Sequence, residues 1–198
     1  MMGKTHLAIG MAAALAVSIG KEPGICAIAL SCGAVGGVIA DVDALRHDYK
    51  HDALIGELLS VLVVALSLCF DYYLEWGILK SIIQNGYKSL IGCVVFVILW
   101  IIGLFSKHRS FTHSLTALVL YSCCFLPINI FMAFYFSIGY LTHLLLDLLN
   151  KKKLPLLYPM KKGLCFNLCY ASKLANAIFM WIGFVSSLVL LGIDFFIR

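Results

Sequence analysis

Apolar residues in this chain fall in long runs divided by short polar stretches, and the runs are of the length that crosses a bilayer. Six are drawn as helical crossings: residues 5–20, 24–40, 54–74, 89–105, 128–149 and 174–197. A seventh, 113–126, is short, and Pro127 separates it from the next run. A spanning helix needs about 20 apolar residues, so the first two runs are marginal and the seventh falls below the limit. These are read as thin helices or as a re-entrant pair buried by neighbours. The predicted fold is all-α, a polytopic transmembrane helix bundle of six to seven helical segments. No repeat, low-complexity tract or linker divides the chain, which predicts one domain over residues 1–198.

Composition agrees: the 198 residues are 62% hydrophobic and 13% charged, with a mean hydropathy of +0.99, whereas soluble domains carry roughly 25% charged residues. Charge placement orients the chain. With a cytoplasmic amino terminus and seven crossings, Lys4, Arg46, Lys50, Lys107, Arg109, Lys151, Lys152, Lys153, Lys161, Lys162 and Lys173 fall inside, and Lys21, Lys80, Lys88 and Arg198 outside. Eleven against four satisfies the positive-inside rule. The first segment has the outline of a secretory signal, with Lys4 before an apolar stretch and small residues near Ala14 and Ala16. It is read as retained, because the charge count closes better with it and cleavage would discard His6. Most of the net charge of +5 belongs to residues 151–173, read as a topogenic loop in contact with headgroups, with Lys161 and Lys162 as substrate-binding candidates. The eight cysteines are read as structural. Six lie in apolar runs, where cysteine behaves as a small hydrophobe, and Cys165 and Cys169 lack zinc-knuckle spacing.

Candidate chemistry sits at the edges of the runs. Four of the six histidines occur in Thr5-His6, in His108-Arg109-Ser110-Phe111-Thr112-His113, and in the HxxxD element of His143 and Asp147, with Asp41-Val42-Asp43 beside them. Imidazoles and carboxylates at the bilayer are costly enough to demand a reason. The threading places all of these at cytoplasmic ends, so one site on one face is possible. His143 and Asp147, four apart, share a helical face with β-carbons about 6 Å apart. They can chelate one ion or bridge two; the plainer alternative is a histidine capped by its helix neighbour. Asp41 and Asp43 point to opposite sides of a helix but to one side of an extended segment. They are read as marking a helix exit after Gly33, Gly36 and Gly37, which allow close packing. His108 and His113 are roughly 140° apart on a helix. His108 is therefore placed on a loop and His113 in the first helical turn, with Thr112 or Ser110 as cap. Arg109 is a fixed cation able to grip a phosphate or carboxylate. The bland readings are an interfacial basic cluster for His108 and Arg109 and an interface residue for His6. His47 and His51, in a polar loop, are second-tier candidates.

Taken together, Thr5-His6, Ala40-Asp41-Val42-Asp43, the stretch from His108 to Leu115, Gly139-Tyr140-Leu141-Thr142-His143 through Asp147, and Leu156-Leu157-Tyr158-Pro159 resemble the bacterial YdjM-like family. Its members are described as inner-membrane, metal-dependent hydrolases, some under LexA control. The resemblance implies a metal-binding hydrolase. The chain departs from the family pattern at Ala40, where proline is common, and at Ser110, where glycine is common; neither change removes a ligand. Lys151-Lys152-Lys153 replaces the usual threonine and glycine after Asp147, which bears on substrate contacts rather than on metal.

Mixed imidazole and carboxylate ligands suit a divalent transition metal, with zinc or manganese favoured. The candidate ligands His6, Asp41, Asp43, His113, His143 and Asp147 exceed what one tetrahedral ion needs, so one or two ions are expected, with a bridging carboxylate in the second case. His108 and Arg109 are then catalytic candidates, as proton donor and phosphate clamp. The expected activity is hydrolysis of a phosphoester, on a lipid or lipid-linked phosphate at the cytoplasmic membrane face. The expected partner is membrane lipid, and no nucleic acid is expected. Two rivals are a metal-ion transporter, whose site belongs near the bilayer midplane, and a metal-binding sensor or scaffold, which needs no phosphate-binding arginine.

Overall fold

Each apolar run folds as a helix in the computed structural model, which describes residues 2–46, 50–160, 162–168 and 172–197. The helices are α1 (Gly3–Ser18), α2 (Pro23–Ile39), α3 (Lys50–Leu74), α4 (Ile78–Gln84), α5 (Tyr87–Phe105), α6 (Leu115–Phe125), α7 (Ile130–Leu148) and α8 (Lys173–Ile197). A 3-10 helix, Ala40–Arg46, continues α2. Five segments are long and apolar enough to cross a membrane: α2 with its 3-10 extension, α3, α5, α7 and α8. Helix α6, with 11 residues, rises only about 16 Å, short of the roughly 30 Å hydrocarbon core.

Helix α1 is also short, at 16 residues, and the bundle compensates by enclosing it among α2, α3, α7 and α8. Lipid instead meets α3, α5 and α8, which expose Leu58, Val61, Leu90, Ile98, Trp181 and Val189. Helices α1, α2 and α7 approach closely through small residues. A Cβ on Gly36 would run into the Phe136 carbonyl and, at 2.8 Å, the Tyr140 amide of α7; one on Gly37 would meet the His6 carbonyl of α1 at 2.6 Å. Gly36→Val should therefore force α2 off α7 and lower stability by about 1–3 kcal/mol, the cost of overpacking. Thermal unfolding in detergent measures this, with Gly192→Ala, at a position with open space around it, as the silent control.

Helix α4 lies outside every predicted run. Its seven residues are too few for a crossing pattern, and it is delimited by Gly77 and Gly86 at positive φ of 88° and 49°. Asp71, a buried acid of α3, accepts from the amides of Ile78 at 2.8 Å and Leu79 at 2.7 Å, satisfying two orphan donors at the start of α4. This turn lies at the end of the bundle where Asp194 of α8 accepts from the Gly20 amide at 2.8 Å. The opposite end gathers the start of α1, the 3-10 helix, the α5–α6 loop and the end of α7. There Met2 donates from its backbone amide to the Asn176 side chain of α8 at 3.0 Å.

Candidate metal centre

Four elements bring the candidate ligands to that end. His6 lies in the first turn of α1, Asp41 and Asp43 on the 3-10 helix, His113 in the α5–α6 loop, and His143 and Asp147 in the last two turns of α7. Two sequence expectations are corrected. His113 is not in the first turn of α6: Ser114 is the cap, accepting from the Ala117 amide at 3.1 Å, because Thr112 is drawn away to Asp43 at 2.7 Å. The aspartates are neither on an ordinary helix nor extended. At three residues per turn a 3-10 helix sets positions two apart about 120° from one another, and the two carboxylates part company accordingly.

His6, His113 and His143 are fully buried, and Asp147 nearly so. The His143 Nδ1 lies 2.7 Å from the Gly37 carbonyl. A carbonyl only accepts, so Nδ1 carries the proton and Nε2 presents its lone pair inward. The His113 Nδ1 lies 3.3 Å from Asp43 Oδ2, which turns its Nε2 inward as well. The two Nε2 atoms then face each other at 3.3 Å. Asp41 Oδ1 is 3.5 Å from His113 Nε2 and 3.8 Å from His143 Nε2. Asp147 reaches both ways, with Oδ1 at 3.5 Å from His6 Nε2 and Oδ2 at 3.5 Å from His113 Nε2.

These groups could hold a metal ion. Ligands bound at about 2.1 Å form a tetrahedron with edges of roughly 3.4 Å, the spacing seen here. Two sets converge, His6 with His143 and Asp147, and Asp41 with His113 and His143. His143 belongs to both, and Asp147 offers one oxygen toward each. Two further features fit a cation. Both ring nitrogens of His6 are buried without a hydrogen-bond partner, and coordination through Nε2, the one that faces Asp147, would remove the cost of about 1–3 kcal/mol carried by that unsatisfied group. At His113, burial lowers the pKa, but the Asp41 and Asp43 hydrogen bonds outweigh it and raise it to about 10. A proton on that ring stands where an incoming cation must displace it.

Asp43 stands apart from this cluster. Its carboxylate accepts from the Arg109 amide at 2.9 Å as well as from Thr112, and lies 2.8 Å from His108 Nδ1, so it orients His113 and the loop. The loop is held from below by Tyr140, whose hydroxyl donates to the Thr112 carbonyl. Arg109 adopts a positive φ of 60° and places Nη2 at 3.3 Å from Asp147 Oδ2, while its Nε and Nη1 are buried without partners. His108 lies at the rim, with a quarter of its side chain exposed (25%). His51 is exposed on α3 and Lys162 is exposed in the loop after α7, neither belonging to the cluster; His47 and Lys161 lie outside the described residues.

The loop after α7 folds over the same end. Leu156 accepts from the Leu115 amide at 2.8 Å, and Thr116 donates to the Tyr158 carbonyl at 3.0 Å. Residue-by-residue reading passed over the Gly37 carbonyl, Tyr140 and Glu57. The first carries no side-chain signal. Glu57, half-buried on α3, was open to discovery as an acid inside a spanning run.

A bundle of membrane-length helices with a buried imidazole and carboxylate cluster at one end defines a polytopic membrane protein with a candidate metal centre. The chain belongs to the YdjM inner membrane protein family, which matches it over residues 1–196. No curated protein and no solved structure matches the chain.

Proposed function

We propose that this protein is a metal-dependent hydrolase of the inner membrane that cleaves a phosphoester of a lipid or lipid-linked phosphate at the cytoplasmic face. The observation that carries this reading is Arg109: beside a cluster fit for a cation, it holds a fixed positive charge with two buried, unpartnered donors, which suits an anionic phosphoryl oxygen. Zinc or manganese, as one ion or two, suits the ligand set of His6, Asp41, His113, His143 and Asp147. A bound ion supplies Lewis-acid chemistry and a nucleophile of lowered pKa. Arg109 donates to an anionic oxygen of the substrate from a free nitrogen, while its Nη2 stays on Asp147. Asp43 takes the His108 Nδ1 proton in a hydrogen bond, which leaves Nε2 as the atom that exchanges a proton with the leaving oxygen. Asp43 also holds His113, so one carboxylate positions both the loop and a ligand.

Support against a transporter comes from depth: the ligands collect at one end of the bundle, and α1 and α7 run through without a break, whereas transport sites sit between broken helices at the midplane. Elemental analysis of the purified protein, followed by metal-dependent phosphate release from a panel of lipid extracts, tests the proposal. Bound metal without turnover on any phosphoester leaves the sensor reading.

The cytoplasmic placement has its own test. In a background with the native cysteines replaced, a cysteine at Lys152 should resist a membrane-impermeant thiol reagent in intact cells, and one at Tyr87 should react. Both positions are exposed, so the contrast reports sidedness. Labelling at position 152 from outside inverts the whole arrangement.

A further inference from the structure

Helix α3 packs on α1 and α2, and α5 on α6, and the two scarcely touch each other. Where they part lies a cavity of about 390 Å³. Its walls include Ile28 and Cys32 of α2, Val64 and Leu68 of α3, Phe96 of α5 and Cys124 of α6. No charged side chain lines it. It reaches the lipid-facing surface at Cys93 and Val97, both exposed on α5, and it is floored by Ile78 and Ile82 of α4. Its inner end, at Val35, is six residues before Asp41 on the same helical stretch, or roughly 9 Å in rise, so it is separate from the metal cluster.

We infer that this slot holds one acyl chain of a membrane lipid, which enters from the bilayer between α3 and α5 and ends on α4. Three arguments select this occupant. A resident water needs two to four polar partners, and the hydroxyls of Ser31 and Ser67 are the only side-chain oxygens in the lining. A helix of a second copy, about 10–12 Å across with its side chains, is too wide for a cavity of this volume. An alkyl chain needs no hydrogen bonds, is already at hand in the layer onto which Cys93 and Val97 open, and gains packing contacts that a void forfeits. The inference goes beyond the hydrolase reading and does not depend on it.

The test uses the full chain in vesicles of phosphatidylethanolamine and phosphatidylglycerol containing a phospholipid with a photoactivatable diazirine on one acyl chain. Cys32 and Cys124 are 8% and 4% exposed, so a chain lying on the outer surface does not reach them. Cross-links at both are expected, together with ordinary surface labelling at Trp181. Val64→Trp should plug the slot and cut labelling of Cys32 and Cys124 by about tenfold or more, with Trp181 unchanged. Val61→Trp, on the exposed side of α3, should alter neither. If Val64→Trp does not elute as a single species in size exclusion, Val64→Phe serves as the smaller plug. Labelling confined to Trp181, or labelling of Cys32 and Cys124 that ignores the plug, overturns the inference. Because the readout is cross-linking rather than turnover, an occupied slot in an inactive protein would retire the hydrolase reading and keep the slot.

Discussion

Replacing His143 with alanine should abolish metal binding at the candidate centre. His143 is the ligand common to both convergent sets, and its ring is held by the Gly37 carbonyl at 2.7 Å, so no neighbour can take its place without breaking the α2–α7 contact. The loss of affinity should exceed the roughly 10–100-fold that removal of an orienting partner costs. Asp43→Asn supplies that smaller value, since Asp43 contacts the far nitrogen of His113 and acts on the ion only through the ring. Elemental analysis of detergent-purified protein should rank His143→Ala below Asp43→Asn, with His51→Ala at the wild-type level. Equal loss in the first two variants would make Asp43 a direct ligand; full metal content in His143→Ala would return the histidines to a structural role. Membrane insertion should be unchanged in all three, because His143 and Asp43 are buried and His51 lies in the first turn of α3, ahead of its apolar run.

Arg109→Ala should keep the metal and lose turnover by about 10²-fold or more, the scale for removing one preorganised electrostatic contact. The guanidinium cannot ligate a cation, being protonated at every relevant pH, so in the proposed mechanism it acts on an anion. Arg109→Lys should rescue in part, since an ammonium keeps the charge and loses the planar fork. The positive φ of 60° adds a control. Arg109→Gly relieves the backbone and should be the most stable of the three variants, yet as inactive as Arg109→Ala. Activity in the glycine variant would trace the effect to the loop's conformation rather than to the clamp. The comparison is made on whichever phosphoester the lipid panel identifies, with metal content measured alongside.

The candidate ligands were legible in the sequence because ionisable groups at the edges of apolar runs stand out against their cost. His6, Asp41, His113, His143 and Asp147 were each found that way, and the alternation of crossings put them at one end. What the sequence hid was the division of labour within it. Asp41 and Asp43 are equivalent as letters, and only the 3-10 continuation of α2 sends one to the cluster and the other behind His113. The Gly37 carbonyl that sets the His143 tautomer is main chain, visible in the sequence only as a small residue that lets α2 approach α1. Helix α4 was missed because its seven residues are stabilised by an acid of the preceding helix, Asp71, rather than by any pattern of their own. Ser114 displaced Thr112 as the cap of α6 because Asp43, 69 positions away, claimed the threonine.

The enclosure of α1 sets an order of assembly. This helix precedes in synthesis every helix that covers it, and one of its flanks is closed only by α8, where Asn176 accepts from Met2 at 3.0 Å and, through its carbonyl, from Thr5 at 3.1 Å. His6 therefore enters the bilayer on a short helix, long before Asp147 and His143 emerge from the ribosome. The cluster cannot assemble during the early insertion steps, so any ion it holds would have to enter the finished bundle. A nascent chain halted before α7 lacks the shared ligand altogether, and one halted before α8 has every ligand but leaves a flank of α1 open to lipid.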